Sequence, residues 1–230
     1  MGNDFDPCLN LRKSRGTGLL RPYVVVFSTT TLDGRIADPS GYSRLSCDED
    51  FVLLHRLRAM ADAVMIGSNT VLADNPRLTL RLARGRSPIR IVVDSRLRID
   101  PGSNVFSVPG KSILLTTIDH TEKELSRYKS RGIVIVQAGS GKVDLASGLE
   151  KLYTLGIRRL LVEGGGGLNC ALLARRLVDE IHVTIAPRIF GAGISVFNGS
   201  GLGCPAHLAY IGHDVLCGGW VNLRYRVVYV

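Results

Sequence analysis

The chain has 230 residues, enough for one large domain or two small ones, and 45% of them are apolar, an ordinary globular share. No apolar stretch approaches the ~20 residues that a bilayer crossing needs. The N-terminus carries Asp4, Asp6, Arg12, Lys13 and Arg15 without a signal-like apolar core, so neither a membrane partner nor secretion is expected and the cytoplasm is the expected location. A net charge of +9 favours anionic ligands, but the basic residues are scattered and only 6% of residues are aromatic, which argues against nucleic acid and for phosphorylated small molecules.

Residues 1–20 lack periodicity and contain Gly16 and Gly18; they read as a flexible extension before a single domain over 21–230. Tyr23 to Ser28 is β-branched and apolar, a buried strand, and Leu32-Asp33-Gly34-Arg35 is a turn. Ser46 is placed to cap a helix over about Asp48 to Met60, with Glu49 as the carboxylate of a capping box. Ala63 to Ile66 is a short strand ending at Gly67, and Asn69 to Leu72 opens a helical turn that Asp74-Asn75-Pro76 breaks. Strands are expected at Ile89 to Val93, Ser112 to Thr116, Ile133 to Gln137 and Arg159 to Glu163, with helices at Glu122 to Ser130 and Leu145 to Leu155. This alternation implies a mostly parallel sheet with helices on both faces. Glu180 to Ala186 and Leu223 to Val230 read as strands with no long helix between them, so antiparallel additions are expected at the sheet edge. The five cysteines, Cys8, Cys47, Cys170, Cys204 and Cys217, are widely spaced, without C-x-x-C or zinc-like spacing, and read as free thiols.

The chemistry gathers at three strand ends. The run Leu161-Val162-Glu163 is followed by Gly164 to Gly167 and a helix-compatible stretch, Leu168 to Leu177. Such a turn can cradle a phosphate on free N–H groups, or simply let a helix pack closely on the sheet. It is neither of the common nucleotide fingerprints. Thr29, Thr30 and Thr31 follow one strand, and Ser68, Asn69, Thr70 and Asp74 follow another, where Asn69 or Thr70 can equally be a helix cap. Arg77, Thr79 and Arg81 alternate with Leu78 and Leu80, a basic face suited to phosphate. No triad, activated cysteine or metal set emerges. Hydroxyls, glycines and a carboxylate suit a site that aligns a reactive cofactor.

Five ordered segments, LDGRIA (32–37), HRLRAMADAVMIGSNTVLADNPRLTLR (55–81), IRIVVDSRLRI (89–99), LLVEGGGGLN (160–169) and LVDEIHVTIAPRIFGAG (177–193), together resemble the pyrimidine reductases of riboflavin biosynthesis. The resemblance is greatest to the stand-alone archaeal and fungal type, which act on 2,5-diamino-6-ribosylamino-4(3H)-pyrimidinone 5′-phosphate. It implies a dihydrofolate-reductase-like α/β fold, a homodimer, and NADPH as hydride donor, with NADH left open. The ribosylamine would open to an imine and be reduced to ribityl. Carried over by motif, Thr29, Thr70, Asp74 and Ser95 would contact the dinucleotide, with the backbone of Gly165, Gly166, Gly167, Leu168, Asn169, Cys170 and Ala171 receiving its phosphates. Ser43, Arg58, Leu78, Arg81 and Glu163 would contact the substrate, Arg81 holding its phosphate, although Arg58 also reads as a structural helix residue. The deaminase signatures of bacterial relatives, H-x-E and P-C-x-x-C, do not occur, so reduction rather than deamination is expected. The tryptophan that bacterial members carry after the serine is replaced by Arg44-Leu45. Alternatives are the same chemistry on the deaminated pyrimidine phosphate, a folate substrate (disfavoured by Arg81 and Glu163), and a nucleotide-binding regulator without catalysis.

Overall fold

Aliphatic runs with no polar alternation make strands that must be covered on both faces, and parallel pairing meets that demand. The computed structural model describes residues 20–199 and 205–229. In chain order the elements are β1 (Tyr23–Thr30), β2 (Arg35–Ala37), α1 (Asp48–Met60), β3 (Ala63–Gly67), α2 (Ser68–Asp74), β4 (Ile89–Val93), α3 (Asn104–Ser107) and β5 (Ser112–Thr116). They continue with α4 (Glu122–Lys129), β6 (Val134–Gln137), α5 (Leu145–Thr154), β7 (Arg159–Val162), α6 (Gly166–Ala174), β8 (Glu180–Ile185), β9 (Ile194–Ser195), β10 (His207–Leu216) and β11 (Trp220–Val228).

One nine-stranded sheet has the order β10-β11-β8-β1-β7-β3-β4-β5-β6, and β2 pairs with β9 apart from it. From β8 to β6 every pairing is parallel, whereas β11 runs antiparallel to both β8 and β10. The α/β architecture with antiparallel C-terminal strands is therefore as expected. On one face Val24, Val26, Met65 and Ile91 pack with Leu149 and Leu152 of α5 and Leu172 and Leu173 of α6. On the other, Phe27, Val64, Ile66 and Val92 pack with Leu53 and Leu57 of α1 and Leu125 and Tyr128 of α4. No helix among the described residues is long and apolar enough to cross a membrane. The expected extension at residues 1–20 falls almost wholly outside the described residues, as do Cys8 and Cys204.

Three local expectations are corrected. The residue at the N-cap of α1 is Cys47, not Ser46, and it makes no side-chain cap. The Ser46 hydroxyl instead meets that of Thr29 at 3.0 Å, and Glu49 accepts the backbone N–H of Cys217 at 2.7 Å, so no capping box forms. Cys47 and Cys217 are not free thiols: they form a disulfide with a Cα–Cα distance of 6.5 Å, tying α1 to the β10–β11 turn. A separation of 170 residues leaves no local trace of that pairing. The helix after the glycines starts at Gly166 rather than Leu168, because Gly166 and Gly167 themselves adopt its first turn.

Candidate active site

Parallel strands direct their carboxyl ends to one side, and the loops leaving β1, β7, β3 and β4 meet there around a cavity of about 600 Å³. Thr29 and Ser43 line its β1 side, Thr70 and Asp74 its β3 side, Ser95 its β4 side, and Glu163 with the glycines its centre.

At the centre, Gly164 has φ of +91° and Gly165 donates its N–H to Thr70 Oγ1 at 2.7 Å. The Thr70 hydroxyl thus fixes the glycine turn from the neighbouring strand end. The N–H groups of Leu168 and Asn169 both return to the Gly165 carbonyl, at 3.0 and 3.1 Å. Those of Gly166 and Gly167 have no partner among the described residues, and Gly167 is exposed at the cavity wall. The positive end of α6 and two open donors are a fit for a phosphate group.

A helix turns about 100° per residue, so residues 165–171 cannot all face the cavity. Gly165, Gly166, Gly167, Leu168 and Ala171 line it; Asn169 and Cys170 do not. Asn169 is fully buried and donates from Nδ2 to the Val196 carbonyl and to Ser28 Oγ. Cys170 is buried under α6 against Gly199. Both side chains thus pack within the fold, while the contacts expected over 165–171 were of the backbone.

Glu163 is half-buried against the buried Arg58: Arg58 Nε and Nη2 each donate at 2.6 Å to one carboxylate oxygen, and Nη1 donates to the Thr79 carbonyl at 2.9 Å. Burial opposes the charge on Arg58, but the charge and hydrogen bonds of Glu163 outweigh it, so the guanidinium is held more firmly protonated than usual. Arg58 therefore lies behind the wall and orients Glu163, the structural alternative for this residue. Leu78 does not line the cavity either; it sits in the α1-side core with φ of +51°. Arg81 is exposed outside the wall, its N–H donated to Nδ1 of the buried His55 at 2.9 Å. Asp74, at the end of α2, has its pKa raised by desolvation at the cavity although much of the residue remains open to solvent.

Several residues at the site were not singled out by sequence. Asp50 of α1 is completely buried and accepts hydroxyl bonds at 2.6 Å from both Thr29 and Thr184, and Asn222 donates on to Thr184 at 3.0 Å. Arg98, Lys142 and Asn198 also line the cavity, as does Ser46, which the sequence offered only as a helix cap. Arg98 lies in a segment whose resemblance was noted, and its basic character was the available signal; Lys142 had none.

Residues 22–221 match the family model described as the RibD C-terminal domain. A protein of Methanothermobacter thermautotrophicus named 2,5-diamino-6-ribosylamino-4(3H)-pyrimidinone 5′-phosphate reductase is 42% identical over 175 residues, covering 75% of this chain and 81% of that one. A protein of the same name from Archaeoglobus fulgidus is 39% identical, covering 75% and 83%. Among solved structures, a Thermotoga maritima diaminohydroxyphosphoribosylaminopyrimidine deaminase/5-amino-6-(5-phosphoribosylamino)uracil reductase superposes with a TM-score of 0.77 at 28% identity, covering 90% of this chain and 57% of that one.

Proposed function

Since the chain belongs to the family of the RibD C-terminal domain, the reductases of riboflavin biosynthesis, we propose that it uses NADPH to reduce the ribosyl side chain of 2,5-diamino-6-ribosylamino-4(3H)-pyrimidinone 5′-phosphate to ribityl. The observation that carries this reading is one continuous cavity that offers open N–H donors at the start of α6 and, one turn earlier, a carboxylate already oriented by Arg58.

A reduced nicotinamide, when bound, supplies a hydride to the open-chain imine form of the ribosylamine. The residues of this chain do the rest. The N–H groups of Gly166 and Gly167 take the dinucleotide phosphates, and Thr70 keeps the turn before them fixed. Glu163 spends one bond per oxygen on Arg58, which leaves acceptor capacity on both oxygens for amino groups of the pyrimidine. Because Arg58 sets the geometry beforehand, no reorganisation accompanies binding. The hydroxyls of Thr29, Ser43 and Ser46 lie on the β1 side, where sugar hydroxyls need partners. Arg81, exposed and outside the residues that line the cavity, is the cation that the resemblance assigns to the substrate phosphate.

One assay tests the reading. The protein is mixed with NADPH or NADH and with either the amino or the deaminated pyrimidine phosphate, and nicotinamide absorbance is followed. Oxidation that requires the amino substrate supports the proposal. Oxidation with the deaminated substrate alone moves the enzyme to the other pathway order, and dinucleotide binding without turnover on either would make the chain a non-catalytic binder.

A further inference from the structure

We propose that Asp50 is a positioning residue for the reaction: it sets the direction of a hydrogen-bond chain that ends at Ser46, and so makes the β1 wall of the cavity an acceptor for a hydroxyl of the substrate's sugar. The inference rests on the reductase reading above and adds what aligns the sugar within it.

A carboxylate taken out of water must be met by a cation or by hydrogen-bond donors. Asp50 is completely buried, and among the described residues it meets two threonine hydroxyls and no cation. It stands in the first turn of α1, the helix end that suits an anion. A hydroxyl has one proton to give. Thr29 gives its proton to Asp50 Oδ2 and Thr184 gives its own to Oδ1, both at 2.6 Å, so each threonine oxygen is left only to accept. On one arm Asn222 Nδ2 supplies the donor, to Thr184 at 3.0 Å, and Asn222 is itself fully buried, so that arm ends inside the fold. On the other arm Ser46, with its hydroxyl 3.0 Å from that of Thr29, is the donor for the same reason.

Ser46 lines the cavity and is half-buried. With its proton spent on Thr29, it offers lone pairs to a ligand. The open arm therefore lacks what Asn222 supplies to the closed one, a donor at its end. An acceptor-only group such as a phosphate is turned away from this wall. An O–H is held by it, and more firmly because the chain leads to a carboxylate. Asp50→Asn reverses one arm only. Asn222 still donates to Thr184, so Thr184 still donates to the carbonyl oxygen of the new amide, and the amide N–H falls on Thr29. Thr29 must then donate to Ser46, and Ser46 presents its proton to the cavity instead of its lone pairs.

Steady-state kinetics at saturating dinucleotide, with dinucleotide dissociation constants measured beside them, test the proposal in the wild type, Ser46→Ala, Asp50→Asn and the double variant. Ser46→Ala should raise the substrate KM about tenfold. Asp50→Asn should raise it about fivefold, the difference between a charge-assisted and a neutral hydrogen bond. In both, kcat should fall by less than KM rises, and dinucleotide affinity should change by less than about twofold. In the Ser46→Ala background Asp50→Asn should add less than about twofold, because Asp50 acts through Ser46. Additive losses, or equal losses in dinucleotide affinity, would reduce Asp50 to a brace between α1 and β8 and overturn the proposal. Thr29→Val cuts the same chain while leaving the bond from Thr184, and it replaces Asp50→Asn in the cycle if that variant does not fold. An unchanged KM in Ser46→Ala overturns the proposal by itself. If the wild type oxidises no nicotinamide with either pyrimidine phosphate, the reductase reading itself fails and this role of Asp50 falls with it.

Discussion

A β-carbon added at Gly166 would lie 2.1 Å from the Ser195 carbonyl oxygen, whereas one added at Gly167 would meet nothing nearer than the Asn198 carbonyl oxygen at 3.8 Å. The two adjacent glycines thus separate packing from ligand access. Gly166→Val should destabilise the fold by about 1–3 kcal/mol or more, since backbone must move. Gly167→Val should leave the thermal midpoint within a few degrees and weaken NADPH binding by about tenfold, a change of roughly 1.4 kcal/mol. Calorimetry beside a dinucleotide titration distinguishes them, and full NADPH affinity in a folded Gly167→Val removes the α6 terminus from the cofactor site. His55 gives a second test at this scale. Its Nδ1 accepts the Arg81 N–H, and burial first, then the charges of Arg58 and Arg81, lower its pKa from the ordinary 6.5. The unfolded chain takes up this proton at higher pH than the folded one, so the stability contributed by neutral His55 is present above pH 6.5 and is lost as pH falls through and below it. Denaturation midpoints from pH 7.5 to 5 should decline in the wild type more steeply than in His55→Asn; parallel curves would remove His55 from the pH response. Glu163 was legible from sequence because a lone charge ended an apolar run. Its pairing with Arg58 was not, since 105 residues separate them and nothing local signals the contact.

The start of α1 is held by the C-terminal hairpin rather than by a cap of its own. Cys47 is bonded to Cys217, Glu49 accepts the Cys217 N–H, and Trp220 Nε1 donates to the Leu45 carbonyl at 2.8 Å. Just inside the helix, Asp50 links β1 and β8 through Thr29 and Thr184. These ties position Ser43 and Ser46 at the cavity, so an element far from the glycine turn shapes the side proposed for the substrate. Breaking the disulfide with Cys217→Ser should cost about 2–4 kcal/mol, because the bond closes a long loop. It should also raise the substrate KM more than the NADPH KM. Thermal melts of wild type and variant, with and without reductant, check the first point; a reductant-insensitive wild-type midpoint equal to that of the variant would show that the bond contributes nothing in solution. Elements with a continuous pattern were legible: α1 and β4 fall on the expected residues, and β1 runs only two residues beyond its expected end. The expected Leu223 to Val230 strand is β11, shifted to Trp220–Val228, and β10 was missed. Most of β10 is exposed, so no buried face imposed a period on its sequence.

At the level of the whole molecule the sheet ends at β10, a ten-residue strand whose outer edge pairs with no strand among the described residues and which has a register shift between Tyr210 and Gly212. Leu208, Tyr210, Ile211 and Val215 are 44–64% exposed there, and Val228 of the adjoining strand is 42% exposed. A long apolar edge of this kind invites pairing with another chain, and proteins that remain monomeric blunt it with charge or proline. Asp214 is the only acidic residue of β10, and it is already paired with Arg224 of β11 at 2.7 Å. The homodimer implied by the family resemblance would cover this surface with its own copy. Sedimentation at micromolar concentration should therefore give about twice the 24.9 kDa chain mass, and Tyr210→Asp combined with Val215→Asp should give the single-chain mass. A monomeric wild type, or a dimer untouched by both charges, would place the contact elsewhere. The same hairpin carries Cys217 and Trp220 to the start of α1. Loss of the dimer should then also weaken substrate binding while dinucleotide binding, proposed above for the start of α6, persists, and measuring both affinities in the double variant connects assembly to the proposed substrate half of the site.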